Sequence, residues 1–301
     1  MTSPVQSTRP LPAATVILVR ENQGQLQVYL IRRSPQSGFM PNMYVFPGGR
    51  LDRSDQDERL WKAHGKLSEA RVIRMSAKGM PAWTAAAYAC TAIRECLEEV
   101  GVFLAKTEDR QPRELERIGQ LARSADRSPG WFNQVVSVEK WALDFNALHR
   151  WSHWITPPEL RRRYDTKFFL ASMPPAQKCR PDPRETSDGI WVAPERALAD
   201  NLSGRMPLSP PTLVTLHQLM AFEGRDELLR TAANREWGDA ITPRLVTVQM
   251  GALILEPWDP QYGQSAEAVE KSLRASAPLN VGKPFSRLLN RGGVWRPVAA
   301  D

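Results

Sequence analysis

The chain has 301 residues, 42% of them hydrophobic and 24% charged, with ten tryptophans; this balance excludes a mainly disordered, collagen-like or low-complexity protein and allows a sizeable core. The formal net charge of +7 favours anionic partners without naming one, since phosphorylated small molecules, nucleic acid and a merely solvated basic face all fit it. No apolar run approaches the ~18 residues needed to cross a bilayer, the opening Met1–Pro10 lacks the order of a signal peptide, and Cys90, Cys96 and Cys179 lack C-x-x-C spacing, so neither a disulfide framework nor a structural zinc site is expected.

In chain order, Thr15–Val19 and Val28–Ile31 are short aliphatic runs around a polar, Gly-containing segment, which predicts a hairpin. Ser34–Gly49 reads as a long loop, a short strand and a glycine turn. Helix is predicted over Ser54–Leu67, broken at Val72–Pro81 and resumed strongly over Ala82–Val100, where Gly101 closes it. Val102–Leu104 then has strand character, Glu114–Ala125 and Trp131–Leu143 helical character, and Trp151–Ile155, Lys167–Ala171 and Gly189–Val192 the composition of strands. Pro194–Asn201, Thr212–Phe222 and Asp226–Ala232 are predicted helices, followed by one aliphatic strand near Leu245–Leu255; the last forty residues, rich in Pro, Gly and Ser, resist assignment. With no internal repeat and no clear linker, one α/β domain with a helical C-terminal elaboration is favoured over two independent domains.

The sharpest feature is Arg94-Glu95-Cys96-Leu97-Glu98-Glu99-Val100-Gly101-Val102. On a helix at roughly 100° per residue, Ile93, Cys96, Leu97 and Val100 share one face and Glu95, Glu98 and Glu99 the opposite one. Carboxylates this close repel one another, and a hard divalent cation such as Mg²⁺ is the natural compensator, because it prefers carboxylate oxygens and binds phosphates at the same time. A solvated acidic face is the plainer alternative. Upstream, the turn Phe46-Pro47-Gly48-Gly49 offers backbone carbonyls as further oxygen ligands and exposed N–H groups for phosphate. Arg32 and Arg33 precede it and are candidates to reach a substrate phosphate, while Cys96 on the apolar face reads as a core thiol. His153, between Trp151 and Trp154, is read as packing in preference to lining a pocket.

These residues resemble the Nudix hydrolases. The family's motif runs from a glycine through a glutamate to Arg-Glu-apolar-any-Glu-Glu-any-Gly-apolar; Arg94 to Val102 match its second half at every specified position, Gly49 matches its opening, and Asp55 stands where the glutamate is found. Thirty-eight residues, Gln56 to Ile93, occupy the place of seven. The branch with such an insertion is the peroxisomal coenzyme A diphosphatase type, and the chain resembles it also in Arg33-Ser34-Pro35, Gly38-Phe39-Met40-Pro41, Tyr164–Leu170 and Leu208–Pro211.

The resemblance implies an α/β/α sandwich with a mixed sheet, an insertion of about 56–83 and a Nudix domain over residues 11–205, with 206–301 packed on it. It implies hydrolysis of the pyrophosphate bond of coenzyme A or related nucleoside diphosphate derivatives. Glu95, Glu98, Glu99 and the Gly49 carbonyl are implied as ligands of Mg²⁺ or Mn²⁺, and Arg94 as their support, with Asp55 or Asp52 as its further partner. The general base lies on the helix or on a later loop, where Glu185 is the candidate; Gly48, Gly49, Arg33 and Phe39 are the candidates on the substrate side. Two rival readings are a different pyrophosphate substrate, such as a dinucleotide, nucleotide sugar or RNA cap, and a nucleotide- or RNA-binding module without hydrolysis. The insertion reads equally as a wall of the site or as an inert or dimer-forming excursion. The chain ends Val298-Ala299-Ala300-Asp301, unlike a Ser-Lys-Leu-type peroxisomal address, so a cytoplasmic enzyme with no membrane partner is expected.

Overall fold

In the computed structural model, which describes residues 8–65, 72–73, 75–77, 80–106, 111–124, 127–273 and 278–299, the chain opens on strands β1 (Leu11–Asn22) and β2 (Gln25–Arg33). They are joined at Gln23-Gly24, where both residues have positive φ, 51° and 74°; such a turn carries the twist that an antiparallel hairpin needs. β1 lies at the centre of a sheet of seven strands. It pairs in parallel with β6 (Tyr164–Ser172), which is antiparallel to β5 (His149–Ile155). On the other side β2 pairs with β3 (Tyr44–Val45) and β7 (Thr186–Val192), and the short β4 (Gly48–Arg50) pairs with the start of β1.

Val16–Val19 are fully buried on both faces of β1, as a strand covered on both sides must be. Ala14, Val16 and Leu18 face one core and Ile17 and Val19 the other. The short helix α1 (Glu58–His64) is followed by the long α2 (Ala82–Val100), which seals the first core. The alanines at 85, 86, 87, 89 and 92 are almost wholly buried and let α2 approach the sheet closely. Gly101 ends α2 at φ 69°, with its N–H bonded to Leu97 O (3.0 Å) and that of Val102 to Cys96 O (3.4 Å), the left-handed stop that glycine makes inexpensive. Helices α3 (Pro112–Arg123) and α4 (Trp131–Val138) lie beyond it. The second core is covered by α5 (Pro194–Leu202), α6 (Pro210–Leu219) and α7 (Arg225–Ala233), so the sheet is sandwiched between helical layers.

Several predicted elements differ. Val102–Leu104 forms no ladder, because the side chain of Gln177 takes the strand partner's place, accepting from Phe103 N and donating to Phe103 O, each at 2.8 Å. The helix predicted to run from Trp131 to Leu143 stops at Val138, and Lys140 then adopts φ 52°. The segment predicted as a helix from Ser54 begins as a 3₁₀ turn, Arg53–Gln56, before Asp57 caps α1. Its end at residues 66–67, the end of the helix predicted to Ala125, and residues 66–71, 74 and 78–79 of the insertion lie outside the described residues. The run Leu245–Leu255 is two strands, β8 (Arg244–Val248) and β9 (Gly251–Leu255), folded back on one another. The unassigned tail supplies α8 (Ala266–Ser272), β10 (Arg287–Arg291) and β11 (Val294–Val298). The C-terminal elaboration therefore adds a four-stranded antiparallel sheet, β11-β10-β9-β8, to its helices. One face of that sheet packs on the second core through Ile254, Leu288 and Trp295; the alternate residues Leu253, Leu255 and Leu289 pack with Val269 of α8, as the period of two along a strand requires. Among the described residues no helix is long and apolar enough to cross a membrane.

Candidate active site

Because α2 packs on β1 and β4 pairs with β1, the last turns of α2 are brought against the glycine turn across the whole insertion. Gly48 N donates to Glu99 Oε2 at 2.7 Å. At Gly49, a Cβ would stand 2.5 Å from the Cδ and Oε1 of Glu95, so only glycine leaves room for the carboxylate. Arg94 gathers the surrounding acids: its Nε and Nη2 grip Asp55 at 2.9 and 2.8 Å, and its Nη1 reaches Glu98 Oε2 and Glu95 Oε1, each at 2.9 Å. The remaining Nη2 bond goes to Arg50 O at 2.9 Å. Asp55 is fully buried, accepts also from Thr91 Oγ1 and Asp52 N, each at 2.9 Å, and is thus the arginine's fork partner. Asp52 lies 3.9 Å from Nη2 and is mostly exposed.

The apolar and acidic faces of α2 are both buried: Glu95, Glu98 and Glu99 are 8%, 7% and 4% exposed. Burial raises the affinity of each for its proton. For Glu95 the neighbouring Glu98 and Glu185 add to this against Arg94; for Glu99 the neighbour is Glu95, opposed by the Gly48 N–H; for Glu98, Arg94, Trp131 and Arg127 pull the other way. Arg94 alone does not balance four buried carboxylates. Among the described residues no three acids converge on one point at ligand distance, since Glu98 is turned to Trp131 Nε1 at 2.6 Å and Glu99 to Gly48. The donor set nevertheless has the chemistry of a hard-cation site: carboxylate oxygens, excess negative charge and shelter from water.

One cavity of about 690 Å³ is lined by Glu95, Glu98, Glu99, Gly48, Gly49 and Arg94, together with Arg33, Phe39 and Glu185. Of the residues proposed from the sequence for catalysis, substrate and metal, all but Arg32 therefore meet in one space. Arg33 is held by Ser37 Oγ (3.0 Å) and Phe39 O (3.0 Å), and the Phe39 ring packs edge-on against Tyr164 at 5.1 Å. Glu185 is about half exposed and lies 3.2 Å from Arg127 Nη1. Arg32 does not line the cavity; its guanidinium lies over the Tyr44 ring. His153 pairs with Asp165 at 2.7 Å, and Cys96 is a fully buried core thiol.

Sequence reasoning missed Trp131, which donates to Glu98 from the start of α4, and Arg127, which ties Glu98 O, Asp182 and Glu185 together. Neither belongs to a local motif. Both reach the site only through the packing of α4 and its approach loop, which no spacing in the sequence records.

The family model of the NUDT19 Nudix domain matches residues 7–219. The acyl-coenzyme A diphosphatase NUDT19 of Xenopus laevis is 27% identical over 282 residues, covering 82% of this chain and 74% of that protein, and its Homo sapiens counterpart is 28% identical over 302 residues, covering 87% and 80%. Among solved structures, a Nudix hydrolase from Alicyclobacillus acidocaldarius matches with a TM-score of 0.60 at 25% identity, covering 76% of this chain and 99% of that one. With its glycine turn and its acidic helix both falling within the matched residues, the chain belongs to the Nudix hydrolases, enzymes that cleave pyrophosphate bonds.

Proposed function

We propose that this protein is a divalent-metal-dependent diphosphatase that cleaves the pyrophosphate bridge of coenzyme A or of its acyl thioesters. The observation that carries the reading is the meeting of the Gly48–Gly49 turn with Glu95, Glu98 and Glu99 in one cavity, across an excursion of the chain that separates them in sequence. The names of the animal relatives, acyl-coenzyme A diphosphatases, support the substrate class.

Glu95, Glu98 and Glu99, with the Gly49 carbonyl, are the residues that would hold Mg²⁺ or Mn²⁺. Such an ion neutralises the anionic bridge and lowers the pKa of attacking water. Arg94, fixed by the buried Asp55, keeps Glu95 and Glu98 in position and so acts through them. Arg33 meets the phosphates beside the Gly48–Gly49 turn, and Phe39 borders them. The water oxygen joins one phosphorus, the bridging oxygen leaves with the other, and the water proton passes to a carboxylate. Glu185 is proposed as that proton acceptor, because it lines the cavity, remains half exposed to solvent and is oriented by Arg127. The products are a phosphopantetheine species and adenosine bisphosphate.

The test is incubation of the protein with coenzyme A, nucleotide sugars, dinucleotides and capped RNA, each with Mg²⁺ or Mn²⁺ and with EDTA, and identification of products by mass. Cleavage of coenzyme A well above the other compounds, abolished by EDTA, is expected. Preference for another pyrophosphate overturns the substrate class, and tight nucleotide binding without turnover overturns the enzymatic reading.

A further inference from the structure

Glu98 is held from outside the Nudix motif. Trp131, the first residue of α4, donates from Nε1 to Glu98 Oε1 at 2.6 Å, and both residues are buried. The other oxygen, Oε2, accepts from Arg94 Nη1 at 2.9 Å, but that nitrogen serves Glu95 Oε1 at the same distance. An arginine shared between two acids does not by itself set the rotation of the Glu98 carboxylate. The indole does, because a donor on each oxygen fixes a plane that one donor leaves free to turn. A carboxylate offers about four lone-pair sites, so with one donor on each oxygen both keep capacity for a cation.

The indole is itself fixed. Trp131 packs edge-on against Phe132 with ring centroids 6.0 Å apart, and Phe132 against Phe103 at 6.2 Å, all three within the first core. Two residues on, Asn133 Nδ2 donates to Ser54 O at 2.8 Å. That carbonyl belongs to the turn Arg53–Gln56, whose Asp55 grips Arg94. The opening of α4 thus reaches Glu98 directly through the indole and braces, through the Asp55 turn, the arginine on its other side. A buried indole has to place its N–H on some acceptor, and packing alone accounts for many such bonds. Trp151, Trp154, Trp237 and Trp258 place theirs on neutral oxygens of a side-chain amide, a hydroxyl and two backbone carbonyls. Trp131 spends its N–H on a carboxylate of the acidic helix, a charge-assisted bond of the stronger kind.

From this we infer that Trp131 is a positioning residue of the pyrophosphate-cleaving site: it holds the Glu98 carboxylate in the orientation that receives the divalent cation and so sets the affinity for that ion. The inference rests on the metal site proposed above and goes beyond it in assigning part of the ion's affinity to a side chain outside the motif, delivered by the packing of α4. Trp131 acts through Glu98 alone, as a donor that orients a ligand.

The experiment measures Mn²⁺ binding to the full chain by the electron paramagnetic resonance of the free ion, in the wild type, Trp131→Phe and Phe132→Leu, with folding checked by thermal melting. Trp131→Phe keeps an aromatic ring and loses the N–H; it is expected to weaken Mn²⁺ binding roughly 10- to 100-fold. The Mn²⁺ concentration for half-maximal turnover should rise by the same factor, with kcat recovering at saturating metal. Phe132→Leu loosens the same packing with the N–H in place, and is expected to lower the melting temperature while leaving Mn²⁺ affinity unchanged. Wild-type Mn²⁺ affinity in folded Trp131→Phe overturns the inference, and so does an equal loss in Phe132→Leu, which would assign the effect to packing. In the wild type, the indole N–H resonance that moves in Glu98→Gln is expected to move also on saturation with Mg²⁺. A spectrum in which no indole signal responds to both overturns the inference even if Trp131→Phe unfolds. Failure of the wild type to bind Mn²⁺ at all sinks the metal site itself and this inference with it.

Discussion

A single methyl group added at position 49 would stand 2.5 Å from the Glu95 carboxylate, and the carboxylate is itself held by Arg94. Gly49→Ala is therefore expected to displace Glu95, lowering kcat at least tenfold and stability by about 1–3 kcal/mol; steady-state kinetics and urea denaturation check the two. Glu98→Gln should behave differently. It keeps the shape of the side chain and relieves a buried charge, so turnover should fall by a factor of roughly 10² or more while the melting temperature stays within a few degrees of the wild type or rises. Full activity in folded Glu98→Gln would remove this residue from the site. The identity of these acids was legible from the string Arg94–Val102, but their burial was not. A helical wheel gave α2 one apolar face and one acidic face, and the acidic one turned out to be closed over by β4, the 3₁₀ turn and Trp131. Asp55, at the motif position, had Asp52 as its possible substitute beside Arg94, and the turn at Arg53–Gln56 puts Asp55 inside and Asp52 at the surface.

At the scale of elements, a buried acid of a different character follows directly on β9. Glu256 is fully buried, and neither of its carboxylate oxygens has a hydrogen-bond partner among the described residues. Burial pushes its pKa up to about 8, above an unfolded value of about 4.3. Between those values the native state holds a proton that the unfolded state has released, so the contribution of this group to stability is complete at low pH and is lost as the pH rises through about 8. Glu256→Gln, which cannot ionise, should be more stable than the wild type at pH 8 and indistinguishable from it near pH 4; denaturant midpoints across that range test the sign. The hairpin β1–β2, α2 and the strands β5, β6 and β7 were predictable because each carries its own periodicity and stop signals. Val102–Leu104 was misread as a strand because a side-chain amide, Gln177, satisfies the backbone there, and an interaction between residues so far apart in sequence leaves no trace in a short window.

For the whole molecule, the second core is shared: Ile254, Leu288 and Trp295 of the C-terminal sheet pack with Leu213 and Leu216 of α6 and with Ile17 and Val28 of the main sheet, and Asn201 Nδ2 bonds to Trp295 O at 2.8 Å. Ending the chain at residue 243 is expected to abolish cooperative unfolding and lower the melting temperature by more than 10 °C, in line with removing several large buried side chains at about 2–5 kcal/mol each; calorimetry would show a broad or absent transition. A sharp transition would mean that the Nudix domain stands alone. What the sequence by itself determined is the set of local patterns: the fold class, through periodicity and glycine stops, and the chemistry, through carboxylates three and four residues apart on one helix. What only the tertiary structure decided is which further distant groups meet those patterns, namely Trp131 and Arg127 from a neighbouring helix and loop, and a C-terminal sheet lining part of the cavity. The physical reason is one of range. Helical and strand propensities act over a few residues and are written in the order of the chain, whereas burial brings together surfaces according to their fit, and fit is a property of the folded whole.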